Sequence, residues 1–461
     1  MDSSPKHIHI VGICGVATSA LAIAFHNKGW KVTGSDKGFF PPVSTELEKH
    51  GISFYAGWHP EKMIEGGKLD IVVITTFAGT KNPEIKYAEE NNITLKPYME
   101  VFRDYFIRPK SIVCAGTWGK TSSSTLLSYI LQEAEFDPTY MFGGISLSHN
   151  ASAKLTDSEY SVFEGDEYKS SPTDNTPKFV YYKPTHLLLS AISWDHADLY
   201  PTEESYFNVF RKLISGIPKD GFVVANRDNE KVKELVQNAI WYGKSDAKYV
   251  YSDVNQTKDG LDFKINGIKI HSPMIGTFQA ENITGCFAMA SEIGIPTEKI
   301  VKAISNFKGL KRRLEKRLDS KVTIFDDIAH SPEKAASVLK TIRAVYQGKI
   351  ITIFEPNSGG RQRESSTKYN NAFKDSTTVI IPRLTKLKVA DDGSEKPFEG
   401  DELAETIKKT QPNTLYIEDD DKLVKYLIEN TRDGDVIAFL GSHGFRGMIE
   451  ETITSLRQQS Q

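Results

Sequence analysis

Apolar and polar residues follow two alternating patterns through the N-terminal part of the chain. Short runs rich in β-branched residues are separated by stretches in which apolar residues recur at helical spacing. The runs predict strands at 7–13, 31–36, 70–76 and 93–98, and the first long stretch predicts a helix at 17–29. Strands that alternate with helices build a parallel sheet covered on both faces, so we expect a doubly wound α/β domain.

The same alternation begins again near residue 110. A strand at 111–116 precedes a helix at 122–134, and further strands are predicted at 160–167, 185–192 and 221–226. A more polar stretch then runs from residue 248 to residue 270. It contains the turn-forming pairs Asp259-Gly260 and Asn266-Gly267, so we expect a two-stranded hairpin there.

A third series of strands occupies the last part of the chain. These strands are predicted at 321–327, 349–355, 376–382, 413–419 and 435–441. A chain of 461 residues is long for a single domain. We place boundaries near Arg108 and Asp319, which predicts three α/β domains at 1–108, 109–318 and 319–461.

Composition excludes several classes of partner. The chain has 57 basic and 60 acidic residues and a formal charge of −3, so we expect no nucleic-acid or membrane partner. No run approaches the roughly 20 apolar residues of a membrane span, and no signal peptide is recognisable, which predicts a cytoplasmic protein. The three cysteines (Cys14, Cys114 and Cys286) are far apart, and we expect them to be free thiols.

A glycine-rich loop lies between the predicted strand at 111–116 and the helix after it. Glycine lets backbone N–H groups turn towards phosphate oxygens, and the helix N-terminus adds partial positive charge. Lys120 is expected to reach the β- and γ-phosphates, and the Thr121 hydroxyl to bind Mg²⁺. Cys114 stands where the general P-loop has its first glycine, so this loop is shorter. The alternative is a glycine turn with a solvated lysine. The residues of the loop are Gly116, Thr117, Trp118, Gly119, Lys120, Thr121 and Ser122.

Acidic and histidine side chains follow two other predicted strands. Glu164, Asp166 and Glu167 end one of them, and His196 follows another. Because the carboxyl ends of parallel strands share one edge of a sheet, we expect Glu164 and His196 to approach the phosphate held by the loop lysine. A carboxylate and a neutral imidazole both bind divalent metal, which predicts a Mg²⁺ site at Thr121, Glu164 and His196. Each cluster by itself is more typical of a solvated loop, and the metal site is favoured because both clusters occur together with the glycine-rich loop.

A second glycine-containing loop follows the first strand. Cys14 and Ala17 occupy the later glycine positions of the dinucleotide-binding pattern, so a nicotinamide or flavin cofactor is not expected. The loop is better suited to another diphosphate, such as that of a nucleotide sugar. The alternative is a purely structural turn. The predicted binding residues here are Gly12, Gly15, Ser19 and Asp36.

Polar residues also follow two strands of the third series. Asp326 and Asp327 precede a predicted helix that begins after His330, where they could contact a ribose or an amine. An N-capping turn is the alternative. A glycine-rich segment at 355–361 follows the next strand and includes Arg361, and by itself this segment favours a plain surface loop.

The chain resembles the Mur ligases over nearly its whole length. The resemblance implies an ATP- and Mg²⁺-dependent ligase with two Rossmann-like domains around a central ATPase domain. It also implies that residues 1–108 bind a UDP-sugar and that residues 109–318 bind ATP. Asn282 would then lie near adenine and Arg313 near ATP. Residues 319–461 would bind the amine substrate beside Asp327 and His330. The motifs that carry it lie in the family's order at 8–15, 32–36, 115–124, 164–168, 194–200, 279–282, 311–313 and 325–332.

Within the family, the chain resembles the branch that joins UDP-N-acetylmuramic acid to the peptide L-Ala-γ-D-Glu-meso-diaminopimelate. This resemblance rests on segments 13–15, 40–45, 178–184, 195–200 and 354–356. The branch that adds L-alanine is the alternative. We expect Arg361 to supply a cation that the peptide-adding branch has at Asn357. Other departures from the family pattern are Trp118, Ser122, Ala191 and Ser331.

Two other classes of function remain as alternatives. A nicotinamide oxidoreductase is favoured only by the N-terminal alternation of strands and helices. A nucleotide-binding regulatory protein with an inactive ligase site is disfavoured, because Lys120, Glu164 and His196 are all present.

Overall fold

The computed structural model describes residues 6–40, 43–75, 79, 81–171, 174–196, 199–386 and 396–459. The predicted segments 40–45, 70–76 and 194–200 therefore lie partly outside the described residues. The chain forms two compact units. The first comprises Met1–Val254, Asp262–Ser272 and Phe278–Lys308, and the second comprises Asn255–Leu261, Pro273–Thr277 and Gly309–Gln461.

The N-terminal part of the first unit is a parallel five-stranded sheet in the order β3-β2-β1-β4-β5. Its strands are β1 (His7–Val11), β2 (Lys31–Asp36), β3 (Ser53–Ala56), β4 (Ile71–Ile74) and β5 (Leu95–Pro97), and its helices are α1 (Val16–Asn27), α2 (Val43–Lys49), α3 (Pro60–Glu65), α4 (Pro83–Glu90) and α5 (Tyr98–Tyr105). Strand β3 was not predicted, because its four residues are partly exposed and form no apolar run.

The central sheet has ten strands in the order β17-β16-β15-β14-β13-β12-β6-β9-β7-β8, and β10 and β11 form a separate pair. The strands are β6 (Lys110–Ala115), β7 (Thr139–Met141), β8 (Ala153–Lys154), β9 (Tyr160–Glu164), β10 (Lys169–Ser171), β11 (Asp174–Pro177), β12 (His186–Leu189), β13 (Phe222–Asn226), β14 (Ile240–Gly243), β15 (Tyr249–Thr257), β16 (Gly260–Ile265) and β17 (Ile268–Ser272). The helices are α6 (Lys120–Glu133), α7 (Lys178–Tyr181), α8 (Glu203–Ser215), α9 (Glu230–Leu235), α10 (Gln279–Glu292) and α11 (Thr297–Asn306).

The predicted two-stranded hairpin is wrong in its number of strands. The two turn sequences join three strands, β15, β16 and β17, which are neighbours in the sheet. Gly260, Asn266 and Gly267 all have positive φ values, of 135°, 48° and 82°. Turns that need positive φ favour glycine and asparagine, so each of the two pairs marks a separate turn.

The second unit contains a six-stranded sheet in the order β18-β19-β23-β20-β21-β22. Strand β18 is antiparallel to β19, and the other strands are parallel. The strands are β18 (Glu315–Asp319), β19 (Thr323–Asp327), β20 (Ile350–Glu355), β21 (Thr378–Pro382), β22 (Thr414–Ile417) and β23 (Val436–Gly441), and the helices are α12 (Pro332–Arg343), α13 (Gly400–Lys408), α14 (Asp420–Asn430) and α15 (Met448–Gln459). Short 3-10 helices lie at Arg363–Tyr369 and Phe445–Gly447.

Strand β18 shifts the second predicted boundary. The sequence places that boundary near Asp319, but β18 ends at Asp319 and pairs with β19 inside the C-terminal sheet. The second unit correspondingly includes the chain from Gly309 onwards. A charged, partly exposed edge strand has no buried apolar run, which explains why the sequence pattern did not reveal it.

No helix among the described residues combines the length and apolar character needed to cross a membrane. The three cysteines are free, as predicted, and all three are buried.

Candidate functional site

The glycine-rich loop joins β6 to α6 and packs closely against its surroundings. Gly116 and Gly119 have φ values of +134° and +81°, which residues with side chains rarely adopt. A Cβ atom on Gly116 would overlap Ser190 Oγ, and one on Gly119 would lie 2.5 Å from Asn282 Oδ1. Both positions therefore require glycine, as expected of a loop whose backbone closely approaches its neighbours.

The ammonium group of Lys120 lies over this loop and already has an anionic partner. Its Nζ donates to Gly116 O at 2.8 Å, to Thr117 O at 3.3 Å and to Glu167 Oε1 at 2.9 Å. The Glu167 side chain is 1% exposed and that of Lys120 is 16% exposed. A buried carboxylate is stable only when it is paired, so the two groups neutralise each other.

Glu167 is a site residue that the sequence analysis did not select. The acidic motif at 164–168 contains Glu167, but the sequence pattern favours Glu164 as the functional carboxylate. Burial raises the pKa of Glu167, and the Lys120 ammonium group offsets this effect only in part. The available signal was the position of Glu167 in the same acidic motif, but a motif does not reveal which of two carboxylates is buried.

Glu164 ends β9 and contacts the loop through Thr121. Thr121 Oγ1 donates to Glu164 Oε1 at 2.7 Å, and the Gly143 N–H donates to Glu164 Oε2 at 2.7 Å. In the sheet, Glu164 is paired with Cys114 of β6. The predicted meeting of the loop and the acidic strand end is therefore confirmed.

His196 lies after β12 and faces Glu167. Its Nε2 is 3.6 Å from Glu167 Oε1, and its ring packs edge-on against Tyr168 with the centroids 5.5 Å apart. The residue has a φ of +54°. Such a conformation costs about 1–3 kcal/mol, so the surrounding structure must hold it. Asp198, in the same motif, lies outside the described residues.

The predicted metal ligands fall into two groups. Strand β6 lies between β9 and β12, so the strand that carries Glu164 and the strand that precedes His196 are not neighbours. Among the residues that the structure describes, no group of three or more histidine, cysteine or acidic side chains could hold a metal ion. A Mg²⁺ ion at Thr121 and Glu164 would therefore need further oxygen ligands from phosphate and water.

The remaining residues predicted to bind nucleotide differ in exposure and in the partners that their side chains already have. Thr117 Oγ1 donates to Ser193 O at 2.8 Å and also contacts Tyr206 OH at 3.0 Å, so its hydroxyl has partners within the protein. Trp118 is 60% exposed, and Ser122 is half-buried. Asn282 is buried in α10 against Gly119. Their contacts with nucleotide stay predictions.

The first loop of the N-terminal sheet is held by its own side chains. Asp36 Oδ2 accepts a hydrogen bond from the Cys14 N–H at 2.8 Å, and Oδ1 accepts one from the Lys37 N–H at 2.7 Å. Ser19 is buried, and its hydroxyl donates to Val16 O at 3.0 Å. Both side chains therefore have structural partners that the sequence did not indicate.

The glycines of that loop differ in exposure: Gly12 is partly buried and Gly15 is exposed. Gly12 has a φ of +88°, and a Cβ atom there would overlap Thr75 Oγ1. Gly15 precedes α1 and forms no side-chain cap. The N-terminus of α1 is thus able to receive a phosphate group through backbone N–H groups.

In the second unit, Asp327 at the end of β19 is a buried, bonded carboxylate. Its Oδ1 accepts from the Ala329 N–H at 2.8 Å, and its Oδ2 accepts from the Leu314 N–H at 2.7 Å. Burial raises the pKa of Asp327. The carboxylate therefore holds two backbone segments together, and its predicted contact with ATP stays a prediction.

His330 and Arg313 lie near this carboxylate in the sequence. His330 Nδ1 donates to Ile328 O at 2.8 Å, which makes Nε2 the acceptor nitrogen of a neutral ring. Burial lowers the pKa of His330, so the ring is neutral at pH 7. Arg313 is exposed, whereas the adjacent Arg312 donates to Asp326 Oδ1 at 3.2 Å.

Arg361, for which we predict a contact with substrate, is bonded within the protein, and that contact stays a prediction. Arg361 is 3% exposed. Its guanidinium group donates to Phe398 O at 2.9 Å, to Thr385 O at 2.6 Å and to Glu399 Oε2 at 3.3 Å. A guanidinium group bound in this way joins two loops and has no free face for a ligand. The nearby Arg363 is also bonded, to Glu402 at 2.7 Å.

A different set of charged groups surrounds the carboxyl end of β20. Glu355 is 1% exposed, and its Oε1 accepts from the Thr385 N–H at 2.9 Å and from Thr385 Oγ1 at 2.7 Å. Its Oε2 has no hydrogen-bond partner among the described residues. Arg446 NH1 lies 3.6 Å from this oxygen. Asp420 binds Arg446 at 2.8 Å and Arg383 at 3.1 Å.

Three family models match successive parts of the chain. "Mur ligase family, catalytic domain" matches residues 7–107, "Mur ligase middle domain" matches residues 114–290, and "Mur ligase, glutamate ligase domain" matches residues 312–443. The chain belongs to the Mur ligase family. Members of this family are ATP-dependent amide-bond ligases of peptidoglycan metabolism. The predicted fold class is confirmed: three Mur ligase domains of mixed α/β structure with parallel sheets.

Relatives of two kinds are similar to this Mur ligase. The UDP-N-acetylmuramate–L-alanyl-γ-D-glutamyl-meso-2,6-diaminoheptandioate ligase of Haemophilus influenzae is 27% identical over 98% of this chain and 99% of its own length. The UDP-N-acetylmuramate–L-alanine ligase of Acetivibrio thermocellus is 29% identical over 95% of this chain and 93% of its own. The structure of UDP-N-acetylmuramate–alanine ligase from Thermotoga maritima has a TM-score of 0.76 and 20% identity, with 98% and 99% of the two chains covered.

Proposed function

We propose that this Mur ligase joins the lactyl carboxylate of UDP-N-acetylmuramic acid to the amine of L-Ala-γ-D-Glu-meso-diaminopimelate, in peptidoglycan recycling. A carboxylate is a poor electrophile, because oxide is a bad leaving group. ATP therefore transfers its γ-phosphoryl group to the carboxylate and leaves as ADP. The amine then attacks the acyl phosphate, phosphate departs, and the amine loses a proton as the amide forms.

The groups around the glycine-rich loop suit the phosphoryl transfer. Two negatively charged reactants must approach each other, and Lys120 brings a positive charge to the loop. Mg²⁺ fits this site because it prefers oxygen ligands, and Thr121 Oγ1 and Glu164 Oε1 lie 2.7 Å from each other. Thr121 and Glu164 would hold one ion, which when bound supplies further positive charge against the phosphates. His196, which faces Glu167, would contact a cation on that side of the loop.

One observation carries the choice of a peptide as amine donor. Arg383 and Arg446 follow the two strands that flank β20, the strand that ends at Glu355. A buried carboxylate whose Oε2 accepts no hydrogen bond among the described residues suits the amine of the incoming substrate, and guanidinium groups suit carboxylates. Both guanidinium groups are paired with Asp420, and Arg446 also with Glu355, so a substrate carboxylate would take the place of Asp420. The tripeptide carries several carboxylates and L-alanine carries one, so the arrangement supports the tripeptide.

The addition of L-alanine is the second candidate. It is supported by the 29% identity to an L-alanine ligase and by the TM-score of 0.76 to another. The two candidate reactions share ATP, UDP-N-acetylmuramic acid and the acyl phosphate. They differ only in the amine.

A competition experiment distinguishes the two donors. With ATP, UDP-N-acetylmuramic acid and equal concentrations of L-alanine and tripeptide, we expect mass spectrometry to detect mainly the tripeptide adduct. The physical reason is that only the tripeptide has enough carboxylates to engage both Arg383 and Arg446. A product mixture dominated by the alanine adduct would assign the chain to the alanine-adding branch and leave the ATP chemistry unchanged.

Variants test whether the arginines cause this preference. Arg383→Gln should raise the KM for tripeptide about tenfold, because a charge-assisted hydrogen bond contributes about 1.5–3 kcal/mol, and should leave the KM for ATP within about twofold. Arg457→Gln changes the same charge at an exposed position of α15. Equal effects of the two substitutions would mean that Arg383 does not bind the peptide.

The N-terminal domain is expected to bind a nucleotide sugar and not a nicotinamide. Titration calorimetry should detect UDP-N-acetylmuramic acid and neither NAD nor NADP. Gly12→Ala should abolish this binding, because its Cβ would overlap Thr75. Gly29→Ala is the matched control: Gly29 has a similar φ of +90°, but nothing lies within 4 Å of its Cβ position. Tight NAD binding, or equal losses in both variants, would contradict this assignment.

A further inference from the structure

Glu167 uses only one of its carboxylate oxygens. Oε1 lies 2.9 Å from Lys120 Nζ and 3.6 Å from His196 Nε2. Oε2 is buried and has no hydrogen-bond partner among the described residues. Buried polar atoms are nearly always bonded, and an unbonded carboxylate oxygen is costly. The position of Oε2 therefore needs a functional explanation.

Glu167 has little freedom to turn away from the loop. The Tyr200 hydroxyl donates to the main-chain oxygen of Glu167. The Tyr206 hydroxyl lies 3.4 Å from Oε1 and 3.0 Å from Thr117 Oγ1, which ties the carboxylate to the glycine-rich loop. Gly165 lies so close to β6 that a Cβ atom there would be 2.8 Å from Val113. The carboxylate is thus held next to Lys120 from several sides.

A nucleotide that binds at this loop brings its phosphates close to a fixed negative charge. Lys120 must then serve the phosphates as well as Glu167, and the two anions repel each other. A divalent cation relieves this repulsion if it binds near Oε2 and His196. Without a cation, the repulsion remains.

We propose that Glu167 is a positioning residue that makes nucleotide binding depend on a divalent cation. Before nucleotide binds, it holds the Lys120 ammonium group over the loop. When nucleotide arrives without metal, Glu167 opposes it by competing for Lys120 and by repelling the phosphates. When nucleotide arrives with metal, Oε2 of Glu167 lies beside the cation and stabilises its positive charge. The inference rests on the proposed nucleotide site at residues 116–122.

Titration calorimetry with ADP tests the inference without any turnover. We expect wild-type affinity for ADP to rise about tenfold or more when EDTA is replaced by Mg²⁺. Glu167→Gln keeps the size of the side chain and removes its charge. In EDTA this variant should bind ADP about fivefold more tightly than the wild type, because one like charge near the phosphates is gone. Its gain from Mg²⁺ should be correspondingly smaller.

Two further variants separate charge from structure. Asp166→Asn removes a charge from the same loop, but Asp166 is paired with Lys178 at 2.7 Å, so ADP affinity should stay within about twofold of wild type. Glu167→Asp retains the charge, and its binding without metal should stay weak. Turnover gives an independent readout. Glu167→Gln should lower kcat although it binds ADP more tightly, because the carboxylate that positions the Lys120 ammonium group is absent.

The outcomes are distinct. If Glu167→Gln binds ADP in EDTA no better than the wild type, the inference is wrong. It is equally wrong if Asp166→Asn produces the same gain, because the effect would then be a general one of charge. If the wild type binds no ADP in either buffer, the nucleotide site itself is wrong, and the inference fails with it.

Discussion

Lys120→Ala is expected to lower the rate of ligation about a hundredfold or more. The ammonium group lies over the glycine-rich loop, where we propose that the charge of the transferred phosphoryl group develops. Removing one preorganised contact of this kind costs about 10²–10³ in kcat. Phosphate release at saturating ATP and UDP-N-acetylmuramic acid measures the loss. Near-normal turnover would mean that the loop does not hold the reacting phosphate.

The same substitution should also destabilise the protein. The sequence alone suggests that a loop lysine contributes charge and no packing, so that the fold survives its removal intact. In the structure, however, Lys120 is the cation that pairs with the buried Glu167. Breaking a buried ion pair from one side costs about 3–5 kcal/mol, so we expect a clear drop in the free energy of unfolding.

The double variant Lys120→Ala/Glu167→Gln separates the two effects. It leaves no unpaired buried charge, so thermal unfolding should return most of the way to wild type. Ligation should remain low, because the ammonium group is still absent. Activity that recovers together with stability would show that Lys120 has a structural role only.

Glu164→Gln should cause the second large loss, about a hundredfold or more in turnover together with a higher Mg²⁺ requirement. The glutamine keeps one acceptor oxygen for Thr121, but its amide group replaces the oxygen that accepts from the Gly143 N–H. A neutral amide is also a poorer ligand for Mg²⁺ than a carboxylate. A titration of activity against Mg²⁺ concentration measures both changes.

Two variants give the comparison. His196→Ala should likewise raise the Mg²⁺ requirement or abolish turnover. Glu159→Gln removes the same charge near the start of β9, where Glu159 is 58% exposed and pairs with Lys110, and it should behave as wild type. If Glu164→Gln and His196→Ala leave activity and its Mg²⁺ dependence unchanged, both residues are structural.

The order of the main elements could be read from the sequence. Strands such as β6, β12, β20 and β23 are short apolar runs buried throughout or nearly so, and each was predicted within a few residues. Their parallel arrangement follows from the helices between them. The meeting of the loop before α6 with the ends of β9 and β12 also follows, because parallel strands end at one edge.

The sequence pattern does not predict strands that are only weakly apolar. Strands β3 and β18 are partly exposed along most of their lengths, so they lack the buried run that signals a strand. Both are stabilised mainly by pairing with a buried neighbour, β2 in one case and β19 in the other. Pairing of that kind depends on which segments meet in three dimensions, and local composition does not encode it.

The sequence by itself determined the family, the strongly apolar strands, the glycine-rich loop and the side chains available for chemistry, since each of these has a local pattern. Only the tertiary structure decided which of those side chains are free. Lys120 pairs with Glu167, 47 residues away, and Arg361 donates to Phe398 O, 37 residues away. Burial and charge pairing arise from such distant contacts. Sequence motifs contain Glu164, Glu167 and Arg361, but they do not show which of these side chains is bonded to other parts of the protein.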